Sequence, residues 1–244
     1  MSTLPMTPDR GWPRALPLWP LALAAALLPA IAALLAVALY AQARGSLCNP
    51  FVDDCVSISR MARHGLANHL FRALVLPGAV LQLLTWLAAS LALSRVGLAR
   101  RDGLAIALLG ACAGLALVVY ASFLGSDGQT YRWLRRWGTL AYFGGTYLAM
   151  LMFVRAAQRL HLAGRLALPR GHERAMVALL AFIAMIGLGH VFASQVAPDS
   201  LVDRFENLTE WWSALALTLC FAVMASLWRR WALTATICLQ RPGP

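Results

Sequence analysis

The sequence predicts an all-α integral membrane protein, a six-transmembrane helix bundle with both termini cytoplasmic. Three observations carry that expectation: scarce charge, six long apolar runs, and an uneven spread of arginines between them. Of the 244 residues, 60% are hydrophobic and only 13% are Asp, Glu, Lys or Arg. A soluble domain carries about 25% charged residues. The apolar residues also come in unbroken blocks, at about 18–41, 72–94, 104–125, 137–154, 176–196 and 208–228. A helix needs about 20 apolar residues to cross the hydrocarbon core. These blocks fill more than half of the chain, so residues 1–244 read as a single membrane domain.

The first block is preceded by Arg10 and Arg14 and followed by Ala41-Gln42-Ala43, a small-residue pattern that resembles a signal-peptidase site. A signal-peptide core is about 7–15 residues long. This run is longer, and the expectation is an uncleaved first helix. The second and third blocks are joined by a short connection, 96–103, which makes them an antiparallel hairpin. Before the fourth block, a connection at 126–136 holds Asp127, Tyr131, Trp133 and three arginines. Aromatic and basic residues together read as an interfacial belt. The connection at 155–174 is basic, and Pro169 and Gly171 are expected to break any helix there. The last connection, 197–207, leads to Glu210, Trp211 and Trp212 at the mouth of the sixth block.

Orientation follows from the arginines. All 21 basic residues are arginine, which points to a GC-rich, bacterial genome and to the cytoplasmic (inner) membrane as the location. With the N-terminus inside, thirteen arginines fall on the cytoplasmic side and eight on the outer side, in the sense of the positive-inside bias. The net charge of +11 is therefore read as a topology signal, and nucleic acid is excluded as a partner. Seven of the ten acids lie outside: Asp53, Asp54, Asp127, Asp199, Asp203, Glu206 and Glu210. Cys48 and Cys55 bracket a short loop on that side, where a disulfide is geometrically feasible and chemically permitted; free thiols are the other reading. Cys112, Cys220 and Cys238 read as small apolar fillers.

Polar chemistry thus gathers on the outer face, above all in the long connection 44–70. Asp203, Glu206 and Glu210 share one face if the sixth helix begins early. Glu210 lies within the apolar boundary, where an unpaired carboxylate is costly; His190 and Arg72 are its expected partners. Arg60, His64 and Asn68 would stack on one side of a helical segment. The candidate pocket comprises Ser57, Ser59, Arg60, His64, His69, Arg72, Asp127, His190, Glu206 and Glu210, with Asp53 and Asp54 beside it. The spans carry no ionisable group near the midplane, which argues against an ion-coupled transporter. H-E-x-x-H, C-x-x-C, G-x-S-x-G and glycine-rich phosphate motifs are absent, so the sequence names no metal, cofactor or protein partner.

Several short motifs carry a family resemblance. Cys48, then Ser57-Ile58-Ser59, then Phe71-Arg72 at a helix head is similar to the first luminal loop of the FGF-receptor-activating/DRAM/Sfk family, which includes the post-GPI-attachment-to-proteins factor. Phe205-Glu206-Asn207-Leu208-Thr209-Glu210-Trp211 resembles that family's entry to its last helix, and Trp137-Gly138-Thr139-Leu140-Ala141-Tyr142-Phe143 the start of its fourth, without the histidine associated with it. The resemblance covers about residues 48–228. It implies six helices and a role in lipid remodelling or lipid organisation. A bacterium makes no GPI anchors, so a phospholipid or glycolipid headgroup is the remaining partner. Arg60, Arg72 and Arg132 would bind it with Ser57 and Ser59, since guanidinium groups suit phosphate.

The leading expectation is a protein that binds or helps remodel outer-leaflet lipids. An alternative is a membrane-embedded hydrolase or acyltransferase, with His64, His69 or His190 as base and Asp53, Asp54 or Glu210 as orienter or metal ligand. A second alternative is a non-catalytic membrane scaffold. The topology is directly testable: a C-terminal alkaline phosphatase fusion should be inactive and a C-terminal fluorescent protein fusion bright. The reverse pattern overturns the orientation.

Overall fold

The computed structural model describes residues 14–45, 48–53 and 56–237. Among these residues seven helices occur in the order α1 (Trp19–Arg44), α2 (Ile58–Met61), α3 (Gly65–Arg95), α4 (Arg100–Ser122), α5 (Gln129–Leu162), α6 (Arg170–Val196) and α7 (Asp199–Arg230), flanked by strands β1 (Arg14–Pro17) and β2 (Thr234–Ile237). All but α2 are long and apolar enough to cross a membrane. At 1.5 Å per residue they run about 35–50 Å, beyond the roughly 30 Å hydrocarbon core. The predicted six-span bundle is therefore the observed architecture.

The helices are longer than the apolar runs, and four expectations change as a result. α3 begins at Gly65, inside the connection expected to run to residue 70. α5 begins at Gln129, so Tyr131, Trp133 and Arg132, Arg135 and Arg136 sit on a helix. It continues through the basic stretch to Leu162. α6 starts at Arg170 with Pro169 as its N-cap, so Pro169 starts a helix and Gly171 lies in its first turn. The physical reason is common to all four. Apolar run length marks where lipid lies, whereas a helix continues into the headgroup region as long as its backbone bonds are satisfied internally.

Small residues set the packing. In lipid, helices associate by close van der Waals contact, which favours Gly and Ala. α1 turns Ala22, Ala25, Ala26, Ala32, Ala33 and Ala36 inward. Its Pro29 nests at Gly78 of α3, where an added Cβ would stand 3.2 Å from the proline ring. Pro29 has no N–H, so the carbonyl of Ala25, four residues earlier, loses its helical donor. The buried Gln82 of α3 replaces it: its Nε2 donates to that carbonyl at 3.2 Å. Gly110 of α4 rests directly on the indole of Trp86, and Gly138 of α5 lies 3.1 Å, by its notional Cβ, from Tyr120 and the Ala116 carbonyl. Trp86 is fully buried and meets Phe221 of α7 edge-on at 5.5 Å.

Neighbouring helices pack in the order α7–α1–α3–α4–α5 around the centre. α6 rests chiefly on α7, and only 11% of its apolar window is buried, so most of its surface is left to lipid. β1 pairs antiparallel with β2, Arg14 opposite Ile237 and Pro17 opposite Thr234. This ribbon, not foreseen in the sequence, ties the two ends of the described chain together on one face, as an even number of spans requires. The same face holds Asp102 against Arg159 at 3.3 Å and Glu173 against Gln158 at 2.8 Å. The opposite face carries the described residues 48–53 and 56–64, and is called the loop face below.

A side chain at Gly110 has to displace the indole root of Trp86. Gly110→Ala should cost about 1–3 kcal/mol and lower the thermal midpoint of the detergent-solubilised protein. Gly144→Ala, where no atom lies within 4 Å, should leave that midpoint unchanged. Equal midpoints for the two variants overturn this account of the α3–α4 contact.

Candidate functional site

The loop face is organised by three consecutive residues of α7. Glu210 Oε1 accepts from the Ser59 backbone N–H at 3.3 Å. Trp211 Nε1 donates to the Val56 carbonyl at 3.2 Å, and Trp212 Nε1 to the Phe51 carbonyl at 3.1 Å. The described residues 48–53 and 56–64 have little secondary structure beyond α2, so their backbone groups need partners at the apolar boundary. Local side chains supply the rest. Asn49 Oδ1 accepts from the Phe51 N–H at 3.1 Å, and Asp53 Oδ2 from the Asn49 N–H at 2.9 Å. This turn presses Phe51 edge-on against Trp211 and Trp212, at 5.8 and 5.2 Å.

Ser57 caps α2, accepting from the Arg60 N–H at 3.4 Å, and its hydroxyl lies 3.0 Å from that of Ser59. Both serines, with the Glu210 carboxylate, form a small polar group under the loop. Asn68 in the first turn of α3 fixes the end of the connection, its Nδ2 donating to the Ala62 and Leu124 carbonyls at 3.0 and 2.9 Å.

Below this group lies a cavity of about 150 Å³. Its walls come from α1 (Ala25, Pro29, Ala33), α3 (Phe71, Val75, Gln82), α4 (Leu117, Tyr120), α5 (Thr139, Tyr142, Phe143) and α7 (Glu210, Trp211, Ala214, Thr218, Phe221), with Phe51 and Ile58 above. Phe71 and Gln82 are eleven residues apart on α3, as are Glu210 and Phe221 on α7. The cavity therefore runs about 16 Å along the helices, close to half the roughly 30 Å hydrocarbon core, or one leaflet. Leu34 on its wall is exposed, and Thr139, Phe143 and Leu215 are half-buried, so the space is not sealed from the surrounding bilayer. At its deep end Gln82, 2% exposed, donates to Tyr142 Oη at 3.3 Å, and its Oε1 has no partner among the described residues.

The sequence-expected residues divide into those that reach this site and those that do not. Ser57, Ser59 and Glu210 meet within it. Arg60 lies at its rim and pairs loosely with Asp203 at 3.9 Å, both exposed; such pairs contribute little. Glu206 is exposed on the same side of α7 as Glu210, as their spacing implied. His190 is not hydrogen-bonded to Glu210: its Nδ1 has no partner among the described residues, and α6 stands away from the centre. Arg72 is half-buried and makes no hydrogen bond or ion pair among the described residues. Arg60, His64 and Asn68 do not stack, because Arg60 belongs to α2 whereas His64 caps α3. His64 and His69 are exposed, and among the described residues the hydrogen bond to Glu210 comes from the Ser59 backbone. Arg132 bonds Gln129 at 2.7 Å on the surface, and Asp127 is exposed. Asp53 serves the Asn49 turn. Cys48 is disulfide-bonded; Cys55, its expected partner, lies outside the described residues with Asp54, as does Cys238. Cys220 is buried, as a filler should be, while Cys112 is exposed.

Five contributors were missed: Phe51, Tyr120, Gln82, Tyr142 and Arg63, whose Nε is buried without a partner near Tyr120 and Arg135. A signal existed for Gln82, Tyr120 and Tyr142, since polar groups inside apolar runs need a partner or a cavity. No three His, Cys, Asp or Glu side chains among the described residues are grouped to hold a metal ion. Comparison with known proteins finds no matching family model, no matching characterised protein and no matching solved structure.

Proposed function

We propose that the chain binds a membrane lipid of the loop-face leaflet, seating an acyl chain in the central cavity and the headgroup against Ser57, Ser59, Arg60 and Glu210. The observation that carries this reading is the shape and lining of the cavity: one leaflet deep, walled by apolar side chains, and polar at its mouth. A lipid presents the same division, with its polar part at the interface and its chain below. Burying a chain against protein instead of neighbouring lipid gains little hydrophobic energy, because both are apolar. Selectivity would then come from packing and from the polar mouth.

The arginine bias places the loop face outside, so the ligand would be an outer-leaflet lipid of a bacterial cytoplasmic membrane. The resemblance of Ser57-Ile58-Ser59 and of the Glu210-Trp211 region to the FGF-receptor-activating/DRAM/Sfk family points the same way, toward lipid organisation or remodelling. Simple binding is better supported than acyl transfer, because among the described residues none of His64, His69 and His190 is hydrogen-bonded to the carboxylate, which takes the Ser59 N–H instead.

The test is to fill the cavity. Ala30 lines it and is half-buried. Native mass spectrometry of the wild-type protein in mild detergent should show one retained lipid, and Ala30→Phe should reduce its occupancy about tenfold or more, the scale of losing one well-packed side-chain contact. A lipid-facing control, Leu91→Phe, should retain it. A wild-type protein that carries no lipid, or an Ala30→Phe variant with undiminished lipid, overturns the reading.

A further inference from the structure

The upper end of the cavity has the chemistry of an ammonium site. Glu210 shares this part of the wall with Phe51, Phe71, Tyr120 and Trp211. The rings are held edge to face, Phe51 on Trp211 at 5.8 Å and Phe71 on Tyr120 at 6.4 Å. Aromatic faces carry negative charge density and attract cations. A carboxylate among such rings is doubly suited to a positive group and poorly placed without one. Its protein partners are weak: a long hydrogen bond from the Ser59 N–H at 3.3 Å and the nearby Ser57 hydroxyl. The adjacent guanidinium, Arg60, is turned to Asp203 in a loose, exposed pair at 3.9 Å, which leaves it open to a further anion.

A second observation concerns the opposite charge. Arg60 lies near Glu210 and Arg63 near Tyr120 of the cavity wall, and Arg63 Nε is a buried donor with no acceptor among the described residues. A buried donor without a partner is costly, and a phosphate oxygen would satisfy it. The carboxylate thus offers a cation site, and Arg60 near it and Arg63 near Tyr120 offer guanidinium groups for an anion.

We propose that the lipid held by this site is a phospholipid with a primary-amine headgroup, of the phosphatidylethanolamine class, its ammonium on Glu210 among the rings and its phosphate toward Arg60 and Arg63. This rests on the reading of the cavity as a lipid site. A primary ammonium donates hydrogen bonds to the carboxylate, as a lysine does. A choline headgroup keeps the cation–π attraction but has no N–H to donate. A glycerol headgroup brings no cation at all.

The full-length protein is exposed in detergent to equimolar dioleoyl-phosphatidylethanolamine, dioleoyl-phosphatidylcholine and dioleoyl-phosphatidylglycerol, and bound species are counted by native mass spectrometry. The expected result is a preference for the ethanolamine lipid of about tenfold, the scale of one charge-assisted hydrogen bond. Glu210→Gln, which keeps the acceptor for Ser59, should abolish the preference while total bound lipid stays constant. Arg63→Met should weaken all three lipids and leave the preference intact. Equal binding of the three lipids by the wild type, or a preference that survives Glu210→Gln, overturns the headgroup assignment and leaves the cavity reading standing. Failure of the wild type to bind any of the three overturns both.

Discussion

Glu210, Trp211 and Trp212 follow one another at the start of the membrane-embedded part of α7, and each holds a different point of the loop above it. Successive residues of an α-helix point about 100° apart. Three in a row therefore face around much of the helix, and a loop bonded to all three has to wrap across its end. The loop backbone lies where water is scarce, so these bonds replace hydration that it cannot otherwise recover. Phe51 is drawn down onto the indoles, and Ser57 and Ser59 are set beside the carboxylate. The roof of the cavity exists because α7 makes these three bonds.

The cavity itself reflects a division of labour among the helices. α3, α4 and α5 are locked by close contacts at Gly110 and Gly138, and they bring Tyr120 and Tyr142 to fixed positions. α1 is alanine-rich and fills little volume. It is held by Pro29 against Gly78 and by the Gln82 side chain on the Ala25 carbonyl. With its neighbours fixed, the bundle cannot collapse to fill the space beside α1, and an apolar void remains. The proline that weakens α1 thus also places a polar group, Gln82, at the deep end of that void. A lipid chain suits the apolar walls, and at the floor the Gln82 oxygen has no partner among the described residues.

Electrostatics are concentrated at the two ends of the bundle. On the ribbon face, Asp102 and Glu173 are absorbed by Arg159 and Gln158, which tie α4 to α5 and α5 to α6. On the loop face, Asp203 and Glu206 are exposed, and Glu210 is the acid that enters the wall of the cavity. Three carboxylates on one helix face therefore have different roles, set by depth.

The sequence alone determined the six spans, because a helix of lipid-soluble side chains satisfies its own backbone and needs no partner to be recognisable. It also determined that Glu210 lies on a helix with Asp203 and Glu206, since that spacing is intrinsic to the α-helix. The partner of Glu210 was decided only in three dimensions. The spacing pointed to His190 on the neighbouring span, but α6 packs on the outside of α7, and the bond goes to the backbone N–H of Ser59, which has no side-chain signature. The helix ends likewise escaped a reading by apolar length, because α5 continues through arginines that apolar runs exclude. The cavity was the least legible feature. Its walls come from five helices, and a void is a property of how side chains fail to fill space together, which no single stretch of sequence records.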